Sequence, residues 1–205
     1  MTAGSSFAAP AFAETLFERM LPRPISQPGF WPALATVLIG SALLTVSAKL
    51  SVPFYPVPLS LQTLVVLCLG LVLGPRLAGL TVLAYLVEGA LGLPVFAGTP
   101  AQGIGIAYMM GPTGGYLLGF LVAAVYTGHL ARRRWDRSIV WTVAAMLIGN
   151  LIIYTFGLLW LGSVIGWNKP LLALGLFPFL LGDALKIGVA ALALPAIWKL
   201  LGRSR

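Results

Sequence analysis

Charged residues are scarce in this sequence. Asp, Glu, Lys and Arg make up only 9% of its 205 residues, whereas apolar residues make up 59%. A soluble domain contains about 25% charged residues, so the composition excludes an ordinary soluble protein. It predicts an all-α integral membrane protein instead, because a spanning helix needs about 20 largely apolar residues. The length leaves room for about five to seven such helices.

Cysteine and histidine are represented by one residue each, Cys68 and His129. A single cysteine excludes a disulfide framework within the chain, and its position in an apolar run predicts that it packs as a small hydrophobic residue. Structural metal sites draw several ligands from these two residue types, so we expect no metal site. His129 adjoins a run of arginines, which predicts a solvated surface residue.

Acidic residues are also few, with five against thirteen basic residues and a formal charge of +8. This excess does not indicate a nucleic-acid-binding protein, because the basic residues cluster beside apolar runs. There they orient membrane helices and contact anionic lipid. No GxxxxGK[ST] sequence occurs, so we do not expect the chain to bind nucleotide phosphates. The first residues lack the pattern of a signal peptide, and we expect the first span to act as the insertion signal.

Apolar runs predict six membrane spans within a membrane domain of residues 29–205, preceded by a cytoplasmic tail at 1–28. The spans are expected at residues 30–50, 61–74, 77–92, 114–130, 139–162 and 178–201. Within the tail, two alternatives stay open. Residues 12–21 form a short amphipathic helix on the cytoplasmic membrane surface, through Phe12, Leu16 and Phe17, or they belong to a disordered tail.

The distribution of basic residues predicts the orientation in the membrane. Six spans place both termini on one side. Ten of the thirteen basic residues lie on or beside segments of that side, all but Lys49, Lys169 and Lys186. By the positive-inside rule, both termini are therefore predicted to be cytoplasmic.

Two unusual connections then fall on the external side. Residues 51–63, the proline-rich connection, contain three prolines. Residues 93–113, the glycine-rich connection, contain four glycines, three prolines and no charge. A connection as long as the second is usually functional or disordered, and its apolar residues argue against disorder. We expect both connections to be ordered and to cap a pocket.

Polar residues inside the spans concentrate in the same outer half. They are Gln62, Thr63, Glu88, Tyr116, Asp183 and Lys186, with Asn150 near mid-depth. A charge at the centre of a spanning helix costs about 2.5–3.5 kcal/mol. Asp183 and Lys186 lie three residues apart, on one helix face, so they can pair. Together these residues predict a binding pocket that opens to the outside.

Each of these polar residues also has a purely structural interpretation. Asp183 and Lys186 can form an ion pair that faces other helices, and Glu88 can hydrogen-bond a neighbouring helix in its protonated form. Asn150 can join helices through its amide, and Tyr116 can anchor a helix at the membrane surface. The sequence leaves these alternatives open.

Four segments together resemble the BioY family. They are PVPLSLQT at 56–63, GLPVFAG at 92–98, GPTGGYLLGF at 111–120 and GDALK at 182–186, within a resemblance that covers residues 33–200. BioY proteins are the biotin-specific substrate-binding subunits, or S components, of energy-coupling factor (ECF) transporters. The resemblance implies high-affinity biotin uptake by a six-helix protein with an external pocket, in the inner membrane of a prokaryotic cell.

The resemblance also implies partners and roles for single residues. Contacts to biotin carry over to Gln62, Glu88, Tyr116, Asn150, Asp183 and Lys186, with Thr63 beside them. Small residues that dock on a transmembrane coupling subunit carry over to Ser41 and Thr45, where the family has alanines, followed by Ala48. Two cytoplasmic ATPase subunits supply the energy, so we expect no cofactor in this chain.

Biotin offers a ureido group, two fused rings and a carboxylate. We expect Asp183 to accept a ureido N–H and Asn150 to donate or accept a hydrogen bond. Lys186 is expected to bind the ureido carbonyl or, alternatively, the carboxylate. Residues 93–96 and Tyr116 are expected to cover the rings, and Gln62 and Thr63 to hydrogen-bond the carboxylate.

Two rival functions compete with biotin uptake. One is an S component for a different vitamin, such as riboflavin or thiamine. The other is a membrane enzyme that uses Glu88 or Asp183 as a base. We do not expect an enzyme, because no nucleophile–base pair or metal set appears and His129 lies on the cytoplasmic side.

Overall fold

The protein is mostly helical in a computed structural model that describes residues 13–20 and 29–203. The helices are α1 (Leu16–Met20), α2 (Phe30–Lys49), α3 (Gln62–Ala90), α4 (Gly105–Met109), α5 (Gly114–Ala131), α6 (Ile139–Ile165), α7 (Leu171–Gly175) and α8 (Phe177–Arg203). A two-residue strand β1 (Ser51–Val52) pairs antiparallel with β2 (Leu59–Ser60) at the base of the proline-rich connection. The prediction of a mostly helical protein is confirmed, and the β1–β2 pair, a small β-ribbon, is the exception.

Five helices in the described part of the chain are long and apolar enough to cross a membrane. This number is one fewer than predicted because α3 runs through the turn between two expected spans. At Gly74 its backbone leaves the helical conformation, with φ 79° and ψ 175°. Glycine tolerates this conformation because it has no Cβ, and Pro75 directly after it cannot donate a helix hydrogen bond.

The two halves of α3 fold back on each other as a hairpin. Gln62 Nε2 donates to the hydroxyl of Tyr85 at 2.6 Å, although a straight helix would separate residues this far apart in sequence by about 34 Å. Residues 62–73 and 75–90 are therefore two antiparallel helices. Six apolar helical segments result from the five continuous helices.

Small residues let these helices approach closely. Gly128 of α5 packs on the hairpin turn, where a Cβ would lie 2.5 Å from the backbone nitrogen of Pro75. Gly119 of α5 packs in the same way on the backbone of Ile153 in α6. Close backbone approach of this kind is how helices associate in a membrane, where apolar surface gains little from leaving lipid. The α3 hairpin and α5 thus form the centre of the bundle.

The short helix α1 packs on the protein instead of on the membrane surface. Its start is a capping box, because Thr15 N donates to Glu18 Oε2 at 3.0 Å and Glu18 N donates to Thr15 Oγ1 at 3.4 Å. Glu18 also pairs with Arg132 at 2.6 Å, and Leu16 is only 3% exposed. Of the two alternatives for this segment, the membrane-surface helix does not fit the structure, because Leu16 is buried in the core and Phe17 packs against the core. Phe12 lies outside the described residues.

Replacing Gly128 with alanine is expected to destabilise the fold. The new Cβ would meet the backbone of the hairpin turn, which cannot rotate away, at a cost of about 1–3 kcal/mol. Gly188→Ala in α8 is the matched control, since no described atom lies within 4 Å of a Cβ there and alanine favours a helix. Thermal unfolding of both purified variants in detergent measures the difference. Equal melting temperatures would contradict the close contact.

Candidate functional site

A cavity lies between α3, α5, α6 and α8, at the end of the bundle that carries the β-ribbon and the glycine-rich connection. Its lining comes from six parts of the chain. The lining residues are Val57, Pro58, Ser60, Gln62, Thr63, Ala97, Tyr108, Thr113, Tyr116, Leu117, Phe120, Ile153, Tyr154, Phe179 and Lys186. Gln62, Thr63, Tyr116 and Lys186 were expected at a pocket, and the structure brings these four together.

The polar end of the cavity is built around the carboxylate of Asp183. Lys186 Nζ lies 2.9 Å from Asp183 Oδ1, one turn along α8. Thr63 Oγ1 donates to the same oxygen at 3.2 Å and accepts from Lys186 Nζ at 2.8 Å. Tyr154 of α6 donates its hydroxyl proton to Asp183 Oδ2. Three helices therefore supply one connected hydrogen-bond network.

Asp183 itself lies behind the cavity surface. It is 4% exposed and is not among the lining residues, whereas Thr63, Tyr154 and Lys186 line the cavity. Both carboxylate oxygens are already paired with donors of the protein. Asp183 therefore orients the three groups that face the cavity, which differs from the direct ligand contact that we expected.

An aromatic wall adjoins this network, and Tyr154 belongs to both. The ring of Tyr116 lies 6.5 Å from those of Tyr154 and Phe179, between centroids, and the last two rings are 6.3 Å apart. Tyr116 donates its hydroxyl to the Gly175 carbonyl at 2.8 Å, so its polar group is satisfied by the protein. These rings present an apolar wall to a ligand.

Gln62 links the cavity to the second half of α3. Its Oε1 accepts from Ser60 Oγ at 3.1 Å while its Nε2 donates to the hydroxyl of Tyr85. The Tyr85 hydroxyl donates in turn to the carbonyl of Val95 at 3.1 Å. The amide of Gln62 is therefore largely engaged within the protein.

Tyr108 of α4 closes the cavity from the side of the glycine-rich connection. Its hydroxyl donates to the Ala97 carbonyl. Burial raises the pKa of the Tyr108 phenol above its ordinary value, so the group stays protonated and remains a donor near neutral pH.

Two expected ligand contacts lie outside the cavity lining. Glu88 accepts a hydrogen bond from Ser41 of α2, so it joins α2 to α3. Asn150 is 7% exposed, and its Oδ1 is buried without a partner among the described residues. It lies one turn of α6 deeper than Tyr154. Residues 93–96, which we expected to cover a ligand, are not among the lining residues, and Phe96 packs against the rings of Tyr85 and Tyr108.

The expected docking residues of α2 face the interior of this chain. Ser41 is 1% exposed and Ala48 is fully buried, while Thr45 is half-buried. The placement of Ser41 and Ala48 on a docking face is therefore wrong. The exposed face of α2 carries large apolar residues instead, among them Ile39 and Val46.

Sequence reasoning missed Tyr154, Phe179 and Tyr108. A signal was available for Tyr154, which follows Asn150 by one helical turn and adds a hydroxyl to the same apolar helix. Phe179 had no such signal, since aromatic residues are common throughout the spans. No group of three metal-ligating residues occurs in the part of the chain that the structure describes.

Comparison with known proteins gives one consistent result. The model of the BioY family matches residues 24–203. The probable biotin transporter BioY of Pyrococcus horikoshii is 41% identical over 160 residues, which cover 78% of this chain and 91% of the relative. The biotin transporter BioY of Thermotoga maritima is 38% identical over 154 residues, covering 75% and 88%. A crystal structure of the S-component for biotin from an ECF-type ABC transporter matches with a TM-score of 0.69 and 26% identity, covering 82% of this chain and 92% of that one.

Removing Asp183 is expected to destabilise the protein more than removing the whole ion pair. Asp183→Ala leaves the Lys186 ammonium without its carboxylate, and breaking a buried pair in this way costs about 3–5 kcal/mol. The double variant Asp183→Ala/Lys186→Met removes both charges and should regain part of that loss. Denaturant unfolding in detergent measures the free-energy changes of Asp183→Ala, Lys186→Met and the double variant, relative to the unaltered protein. Simple addition of the two single effects would show that the groups do not interact.

Proposed function

This chain belongs to the BioY family, and on that premise we propose that it binds biotin as the substrate-specific subunit of an ECF transporter. Its relatives are biotin transporters, and the matching solved structure is a biotin S-component. The chain is accordingly a transport protein and not an enzyme. The observation that carries the proposal is a cavity with one hydrogen-bonding end and one aromatic wall.

The polar end offers the hydrogen bonds that a ureido group needs. An ammonium has three donors, and Lys186 uses two of them on Thr63 and Asp183, so one is left for the ureido carbonyl. The hydroxyl of Tyr154 donates to Asp183, which leaves its oxygen free to accept a ureido N–H. Thr63 retains a similar acceptor site for the second N–H. The aromatic wall would then cover the fused rings.

Charge balance favours the ureido group over the carboxylate at Lys186. The Lys186 ammonium already faces Asp183 at 2.9 Å, so the pair is neutral as a whole. A neutral ureido group adds no charge to it, whereas a carboxylate would leave one net negative charge in a nearly buried site, at a large desolvation cost. The biotin carboxylate would then point toward the mouth of the cavity, near Ser60 and Gln62.

We also propose six spans with both termini in the cytoplasm. The α3 hairpin supplies the sixth segment. Basic residues gather at the end of the bundle opposite the cavity. A Cβ on Gly74 would lie 3.6 Å from Arg132 Nε, and the Arg137 guanidinium stacks on Trp198 at 4.0 Å from the ring centroid. A basic cytoplasmic end and an outward-facing cavity follow from the positive-inside rule, in the inner membrane of a prokaryotic cell.

Uptake against a gradient requires energy that ligand binding alone cannot supply. We propose that a transmembrane coupling subunit and two cytoplasmic ATPase subunits provide it, and that this chain holds no cofactor of its own. The coupling subunit would contact the exposed face of α2 around Thr45, because Ser41 and Ala48 face inward.

Biotin binding to the purified chain alone tests the proposal, with riboflavin and thiamine as competing candidates. Lys186→Met is expected to weaken biotin binding about 30-fold or more, because a ureido carbonyl without a donor loses about 2 kcal/mol. Lys199→Met is the matched control, since Lys199 is an exposed lysine near the other end of the same helix. Isothermal titration in detergent measures both affinities.

Unchanged biotin affinity in Lys186→Met would remove this residue from the binding site. Tight binding of another vitamin in place of biotin would overturn the assignment of the substrate.

A further inference from the structure

Lys49, the last residue of α2, is bound to the glycine-rich connection and not to a carboxylate. Its Nζ lies 3.0 Å from the carbonyl oxygen of Phe96, 2.8 Å from that of Thr99 and 3.0 Å from Thr99 Oγ1. These three acceptors use the full donor capacity of an ammonium group. The contacts bridge 47 and 50 residues of sequence, so they are purely tertiary.

The segment that Lys49 holds is a wall of the cavity. Ala97 lies between Phe96 and Thr99 in sequence and is a lining residue. Phe96 is 1% exposed and stacks on Tyr108, with 5.3 Å between ring centroids. The Phe96 carbonyl also accepts from Thr99 Oγ1 at 2.6 Å. Residues 96–99 thus form a compact turn in which side chains of Lys49, Thr99 and Tyr108 donate to three of the four carbonyls, while the Gly98 carbonyl accepts from Gln102 N at 2.9 Å.

We propose that Lys49 is a positioning residue of the ligand pocket, which fastens this wall to α2 and thereby sets how long the ligand stays bound. The inference rests on the proposed biotin-binding function. No described residue of α2 lines the cavity. The hydrogen bonds of Lys49 nevertheless join this helix directly to the wall at residues 96–99. Tyr85 and Tyr108 also hold this part of the chain, but they belong to α3 and α4, which themselves contribute lining residues.

Removing the ammonium would leave the Thr99 carbonyl without its donor, whereas the Phe96 carbonyl would still accept from Thr99 Oγ1 and Thr99 N. Thr99 is buried, and a buried carbonyl without a partner costs about 1–3 kcal/mol. The segment can avoid that cost by turning this carbonyl toward water, which moves Ala97 away from the cavity. The ligand then loses a wall while the polar network around Asp183 remains intact.

The test compares Lys49→Met, Lys49→Arg and Lys169→Met in the full chain. Arginine can still donate to several carbonyls, and Lys169 is an exposed lysine on the connection between α6 and α7. For Lys49→Met we expect biotin to dissociate about tenfold faster, with an unchanged association rate and melting temperature. Lys49→Arg should restore most of the residence time, and Lys169→Met should match the unaltered protein.

A second measurement does not depend on biotin. In the ligand-free protein, Lys49→Met should accelerate amide hydrogen exchange at residues 96–103 but not in α5 or α6. If the unaltered protein binds no biotin, the proposed function fails, and the exchange experiment still tests the link from Lys49 to the wall. Unchanged exchange and unchanged dissociation would together overturn the inference.

Faster dissociation accompanied by slower association and a lower melting temperature would also overturn it, because that pattern indicates a general structural role. If Lys49→Met does not fold, Thr99→Ala provides the alternative, since it removes one of the three acceptors and leaves the lysine in place. Faster dissociation and exchange are expected there too, and their absence would count against the inference.

Discussion

The ion pair of Asp183 and Lys186 is the interaction on which the cavity end of this protein depends. The two side chains are only 5% and 14% exposed, so each charge must be matched by the protein. An isolated charge at this depth would cost several kcal/mol. Thr63 of α3 and Tyr154 of α6 complete the matching, and three helices consequently meet at one point. The polar end of the cavity is therefore a consequence of stabilising two charges inside an apolar bundle.

The hairpin in α3 connects this polar end to the glycine-rich connection, which forms one wall of the cavity. Because the chain reverses at Gly74, Gln62 at the start of α3 reaches Tyr85 in its second half. Tyr85 then donates to Val95, just before the wall segment. A continuous series of hydrogen bonds thus runs from the β-ribbon to the glycine-rich connection. This arrangement explains how a connection with little regular structure is held in one conformation.

The cavity suits selective binding better than chemical catalysis. Its donors and acceptors are already oriented by neighbouring groups, which lowers the entropy cost of ordering them around a ligand. A ligand without matching polar groups would leave buried partners unpaired, which disfavours analogues strongly. The neutral ion pair suits the neutral ureido group of biotin, and the aromatic wall suits its fused rings. The basic end of the bundle, opposite the cavity, agrees with an outward-facing pocket.

The sequence by itself determined the membrane class, the approximate helices and the concentration of polar residues at one end, because these depend on composition and on local spacing. The pairing of Asp183 with Lys186 was predictable for the same reason, since residues three positions apart on a helix lie on the same face. The tertiary structure decided that Asp183 faces Tyr154 and Thr63 instead of the cavity, that Glu88 joins Ser41, and that Lys49 holds Phe96 and Thr99. These contacts join residues that lie 29 to 120 positions apart. Such contacts depend on how helices pack, and no local pattern in the sequence specifies that packing.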